Sequence, residues 1–110
     1  EKTFCCGNAR TKDVAKIGRL YLNKGNWNGN QVVSQKWVES STKRDTLRGS
    51  AGNYQYQWWI PNKKGDFIAE GILGQFIFVS PSKNLIIVRL GKKYGNTNWE
   101  KLFDKIKEEI

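Results

Sequence analysis

Two runs rich in β-branched and aromatic residues, Gln75–Val79 and Leu85–Leu90, flank the segment Ser80-Pro81-Ser82-Lys83-Asn84. Turn formers lie between two stretches of strand composition, so the whole reads as a β-hairpin. Both runs are nearly continuous in apolar residues rather than alternating. A strand that is apolar on both faces must be covered on both, which implies a central sheet with helices packed on it. A third run, Phe67–Ala69, enters through Gly71 and Gly74. Glycines at that spacing mark a bulge, or a place where something approaches the backbone closely.

The rest of the chain supplies the cover. Thr11 is a suitable N-cap, Asp13 complements the helix dipole, and Val14, Ile17, Leu20 and Tyr21 recur at helical spacing. Gly25 is placed to end that helix. The loop Asn26–Asn30 holds an Asn-Gly turn signal. Ser34 caps a second, short helix with Trp37 and Val38 on its apolar side. Ser40–Asn53 is polar and aperiodic, and reads as a loop. Tyr54, Tyr56, Trp58 and Ile60 alternate with Gln55 and Gln57, which predicts one strand, followed by a turn over Pro61–Asp66. Asn98 caps a last helix, in which Trp99, Leu102, Phe103, Ile106 and Ile110 form an amphipathic face. Short connections make the strands antiparallel. The expected fold is α+β: an antiparallel sheet of three to four strands with flanking helices, in residues 1–110 as a single domain or fragment.

Composition narrows the chemistry. Lys and Arg number 19 against 10 Asp and Glu, a net charge of +9 that permits contact with nucleic acid or an anionic glycan. The cations are scattered, with no block of five, which fits a solvated basic surface better than a nucleic-acid site. A stand-alone basic binding module is the alternative function, and a structural interaction domain a third. There is no histidine, so no Ser-His-Asp triad and no histidine base. The two cysteines are adjacent, Cys5-Cys6, with no C-x-x-C, too few ligands for zinc. They read as a small buried pair, with pairing to another chain or segment as the alternative. No metal or cofactor is expected. No stretch is long enough for a transmembrane helix, and no signal peptide is visible. The chain opens at Glu1 without methionine, which fits a processed product or an excised piece. Ser-x-x-Lys occurs at Ser40–Lys43 and Ser80–Lys83. One helical turn in that motif brings lysine beside serine. The first copy lies where a helix dissolves into a loop, and the second is interrupted by Pro81. Neither is assigned a catalytic role.

Four stretches together resemble the C-terminal portion of the β-lactamase-related serine hydrolases: TKDVAKIGRLYLNKGNWNGNQVVSQKWV from Thr11, YQYQWWIP from Tyr54, AEGILGQFIFVSPSKNLIIVRLG from Ala69, and the Trp99 helix. The resemblance spans almost the whole chain. It implies a sheet flanked by helices and an acyl-enzyme mechanism, in which serine, lysine and tyrosine lie upstream of this region. No catalytic residue is therefore expected here. The family's Lys-Thr-Gly or His-Thr-Gly element would fall at Ala69-Glu70-Gly71, with Gly71 matching and the basic residue replaced by Ala69. The G-x-x-G-Q form is closer to the esterase and oligomer-hydrolase branch. On this resemblance Glu70, Gly71, Gly74 and Gln75 are the expected substrate-binding residues, toward an amide or ester substrate in the complete enzyme. The implied partner is the missing N-terminal portion, self-association is expected without it, and the implied parent is periplasmic or secreted.

Overall fold

The computed structural model describes residues 7–110, so the reading of Cys5 and Cys6 lies outside the described residues. Helix α1 (Thr11–Leu22) is followed by a ribbon of β1 (Asn26–Trp27) and β2 (Asn30–Gln31), then helix α2 (Gln35–Ser41). Strands β3 (Tyr54–Gln55), β4 (Trp58–Trp59), β5 (Phe67–Gly71), β6 (Gln75–Ser80) and β7 (Leu85–Arg89) precede helix α3 (Trp99–Glu109). The five form one antiparallel sheet in chain order, β3-β4-β5-β6-β7. The α+β class holds, with one strand more than the expected upper number.

The extra strand comes from Tyr54–Ile60, which is a hairpin rather than a single strand. Tyr56 and Gln57 adopt φ of +45° and +75°, so the chain reverses there and Tyr54 pairs with Trp59. Neither residue is a usual left-handed former, which is why alternation alone misled. Packing holds the turn: the Tyr54 and Trp59 rings lie 4.6 Å apart, and the Trp37 edge meets Tyr56 at 4.8 Å.

Three smaller corrections follow from local chemistry. Thr11 is the first helical residue of α1; Arg10 holds the cap position and makes no side-chain cap bond. The loop Asn26–Asn30 is a two-residue turn in a small ribbon, with Asn28 and Gly29 at φ of +50° and +94°. The polar segment from Ser40 begins inside α2, which ends at Ser41. The expected caps at Ser34 and Asn98 are formed, the side chains accepting from the Trp37 and Lys101 amides.

The register sorts the apolar side chains onto two faces. Phe67, Ala69, Ile77 and Val79 share one face, against Tyr21 and Leu22 of α1. Ile68, Phe76 and Phe78 share the other, against Phe103 and Trp99 of α3. This is why the runs are apolar throughout. Gly18 lets α1 lie close on the sheet: a Cβ there would sit 2.9 Å from the Ile86 Cγ2 and 3.1 Å from that of Ile77. Phe76, Phe78 and Phe103 are almost wholly buried. Each contributes roughly 1.5–3 kcal/mol of transfer free energy.

Helix α3 turns Trp99, Phe103 and Lys107 inward, while Leu102 and Ile106 remain 37% exposed. The inward lysine has a reason. Its Nζ donates to Asp66 Oδ2 at 2.5 Å, and the Asp66 side chain is fully buried. Asn62 Nδ2 donates to the same oxygen at 2.9 Å. Burial pushes the Asp66 pKa up, but hydrogen bonds from Lys107 and Asn62, the nearby Ser80 hydroxyl and the Lys107 charge outweigh it, so the net shift is downward. Ser80 favours the charged form without a well-aligned bond to Oδ1, which has no partner among the described residues. The pair ties the C-terminal helix to the start of β5.

A candidate active-site wall

Strand β4 meets β5 at a single pair, Trp59 with Ile68. Beyond Ile68, the residues Ala69, Glu70 and Gly71 pair with β6 on one side and, among the described residues, with no strand on the other. In an antiparallel strand alternate residues turn both N–H and C=O to the same side. This part of β5 therefore presents free backbone donors and acceptors along an open edge.

At the end of that edge the chain turns through Ile72, Leu73 and Gly74 into β6. Gly71 pairs directly with Gln75, so the G-x-x-G spacing is a hairpin turn, and the bulge reading gives way to close approach. Leu73 and Gly74 have φ of +62° and +75°. A Cβ at Gly74 would run into the Arg89 guanidinium and sit 3.2 Å from the Tyr94 Cα, so glycine is required by both conformation and space.

Two side chains fix this turn. Arg89 lies opposite Phe76 in β7, on the α3 face of the sheet. Its Nη1 donates to the carbonyls of Leu73 and Gly74, and its Nη2 donates to that of Lys93 at 2.9 Å. The guanidinium stacks 3.9 Å from the centroid of the Trp99 ring, whose Nε1 donates to the Tyr94 carbonyl at 2.8 Å. Gln75 grips the same segment: its Nε2 donates to the Gly91 carbonyl, and its Oε1 accepts from the Gly91 amide at 3.1 Å. Loop tips are ordinarily the mobile part of a hairpin. Here the tip is bonded to Arg89 at the exit of β7, and Arg89 in turn stacks on Trp99 of α3.

The four expected site residues thus lie together, in two roles. Glu70 and Gly71 line the exposed edge; Gly74 and Gln75 hold the turn, with the Gln75 amide engaged on Gly91. Glu70 is on the same face as Phe76 and Arg89 and acts on Tyr94. The Tyr94 phenol is pushed up in pKa, first by partial desolvation and then by the negative charges of Glu70 and Glu100, with Arg89 opposing. A depression of about 430 Å³, lined from Tyr94 to Asn98 and by Glu100, adjoins this loop.

Sequence reasoning missed Arg89, Tyr94 and Trp99. The available signal was one arginine inside the apolar run Leu85–Leu90, where a charge needs a partner. The two Ser-x-x-Lys copies lie elsewhere and lack the motif's geometry. Ser40 is in the last turn of α2 while Lys43 is beyond it, and Ser80 is buried with its Oγ 3.4 Å from that of Ser82. Among the described residues, no three His, Cys, Asp or Glu side chains converge as a metal site.

No protein-family model matches the sequence. A 6-aminohexanoate-dimer hydrolase of Paenarthrobacter ureafaciens is 37% identical over 72% of the chain. Among solved structures, a Bacillus anthracis protein named as a 6-aminohexanoate-dimer hydrolase superposes on 93% of the chain with a TM-score of 0.78 and 26% identity. Homologues of this chain are hydrolases of the β-lactamase fold. The chain spans 23% of the Paenarthrobacter protein and 29% of the Bacillus one. That relation is consistent with a C-terminal fragment of such a hydrolase.

Proposed function

We propose that this chain is the C-terminal part of a β-lactamase-like serine hydrolase acting on amide or ester bonds. It supplies much of the sheet and one wall of the substrate cleft, and an upstream portion of the parent supplies the nucleophile. The observation that carries this reading is the open edge of β5 at Ala69–Gly71, beside a turn held by Arg89 and Gln75, in a chain matching about a quarter of its hydrolase relatives.

In this reading an upstream serine attacks the carbonyl, the C–N or C–O bond breaks and the amine or alcohol leaves protonated. Water then cleaves the acyl-enzyme to the acid and free serine, with an upstream lysine and tyrosine moving the protons. The β5 edge contributes a backbone N–H to the developing oxyanion. A rigid, correctly aimed donor of this kind is worth about 10²–10³ in kcat. The clamped turn keeps that edge in place and costs no reordering during reaction.

Glu70 takes the threonine position of the Lys-Thr-Gly element and gives the wall a negative charge, next to Ala69, where the element has its lysine. A lysine there receives a substrate carboxylate. Glu70 instead disfavours a free carboxylate and favours a neutral amide or a cationic end. The parent enzyme is proposed to work in the periplasm or as a secreted protein.

The test is substrate preference in the complete parent enzyme. Glu70→Lys should raise kcat/KM for a substrate with a carboxylate near the scissile bond relative to a neutral one, by about tenfold for one charge reversal. An unchanged ratio would place Glu70 outside the cleft and remove this assignment of the wall.

A further inference from the structure

A second concavity lies at the opposite end of the sheet. Phe67 pairs with Val79 at the start of β5, four residues before Gly71. At about 3.3 Å per residue this is roughly 13 Å from the open edge. The groove there encloses about 580 Å³, between the C-terminal turn of α1, α2 and the loops leading to and from the sheet. Small-molecule sites run from about 300 to 1,000 Å³.

Its walls and rim have opposite character. Tyr21, Leu22, Val38, Ile60, Phe67 and Pro81 give an apolar trough. Lys24, Lys43, Arg44 and Lys63 stand around it, with Glu39 the one acid in the lining. Among the described residues, none of those four cations makes an ion pair. Two contacts hold part of the rim. Arg44 Nη2 donates to the Ile60 carbonyl at 3.4 Å. Gln55, with its amide nitrogen assigned to the side facing two carbonyls, donates to Lys43 O at 2.6 Å and Ser40 O at 3.0 Å. The segment that carries Lys43 and Arg44 is thus tied across to the sheet and bears unneutralised positive charge over an apolar floor.

We infer that this groove binds an anionic amphiphile, a carboxylate carried on a hydrocarbon chain. The chain lies in the trough between Leu22 and Phe67, and the carboxylate meets Lys43, Arg44 and Lys63. The groove is independent of the proposed cleft, because no residue that lines it belongs to the open edge or the clamped turn. Hydrocarbon burial supplies most of the attraction. Charge complementarity selects the anion.

The experiment is isothermal titration of the 110-residue chain with decanoate and with decanol. Decanoate should bind on the order of tenfold more tightly than decanol, because exposed ion pairs with the rim cations each add only modestly. The double variant Lys43→Glu, Lys63→Glu should lose that preference and keep decanol affinity unchanged; both residues are exposed, so folding is unaffected. Equal affinity for the two probes, or a variant that still prefers decanoate, would overturn the inference. So would an acidic peptide that binds where decanoate does not.

Discussion

Replacing Lys107 with methionine should destabilise this protein far more than an average surface change, with a distinctive pH signature. The Asp66 carboxylate is fully buried, and Lys107 is its one charged hydrogen-bond partner among the described residues. With the ammonium gone, Asn62 remains as the one aligned donor and Oδ1 stays without a partner among the described residues. Removing one member of a buried ion pair costs about 3–5 kcal/mol, because the other charge is left desolvated. At about 5 °C per kcal/mol for a domain of this size, the midpoint should fall by roughly 15–25 °C. In the native protein the folded Asp66 pKa is depressed, so its contribution is present above the unfolded value of about 3.9 and is lost as pH falls through the folded pKa. In the Lys107→Met variant burial dominates and the folded pKa rises above the unfolded one. The penalty is then present near neutrality and relieved on acidification. The stability gap between the two proteins is therefore widest near pH 7 and narrows as pH falls toward about 4. Tryptophan fluorescence in urea, taken at several pH values, measures this gap. A variant within about 1 kcal/mol of the parent at pH 7, a threshold well below the expected loss, would refute the reasoning. So would a gap that widens on acidification.

Three further outcomes are expected. Gly74→Ala forces a side chain into left-handed backbone and against Arg89, and should cost roughly 1–3 kcal/mol in urea titration; a neutral substitution would show that the turn is not clamped. Phe103→Ala removes the ring that packs on Phe76, Phe78 and Trp99, and should cost about 3–5 kcal/mol by the same assay, with a loss under about 1 kcal/mol contradicting the role given to α3. Strand β7 pairs with β6 alone among the described residues, and an apolar strand edge recruits partners. Light scattering should therefore show an apparent mass that rises with concentration, whereas a constant monomer mass would show that the edge is protected.

Much of this architecture is legible before any coordinates. The continuous apolar runs in β6 and β7 imply cover on both faces, and α1 and α3 provide it. The helix caps at Ser34 and Asn98 follow from local side-chain chemistry alone. The Tyr54–Ile60 segment was not legible because its turn uses Tyr56 and Gln57 at positive φ, held by aromatic contacts from Trp37 and Trp59 that no local pattern announces. The inward face of α3 was misjudged for a related reason. Lys107 reads as solvent-facing until a buried Asp66, distant in sequence, is placed beside it. At the candidate wall, the glycines and Gln75 stood out by their spacing. Arg89, Tyr94 and Trp99, which complete the clamp, come together only through the pairing of β6 with β7 and the return of α3.

The central claim is that this chain forms one wall of a hydrolase whose nucleophile lies upstream. Its most direct test is hydrolysis of a p-nitrophenyl ester by the 110-residue chain alone, by the upstream portion of the same reading frame alone, and by the two combined. The account predicts background rates for each part and saturable hydrolysis for the mixture, blocked by a fluorophosphonate that labels a serine in the upstream part. Full activity in either part alone, or a mixture no faster than background with both parts folded, would contradict it.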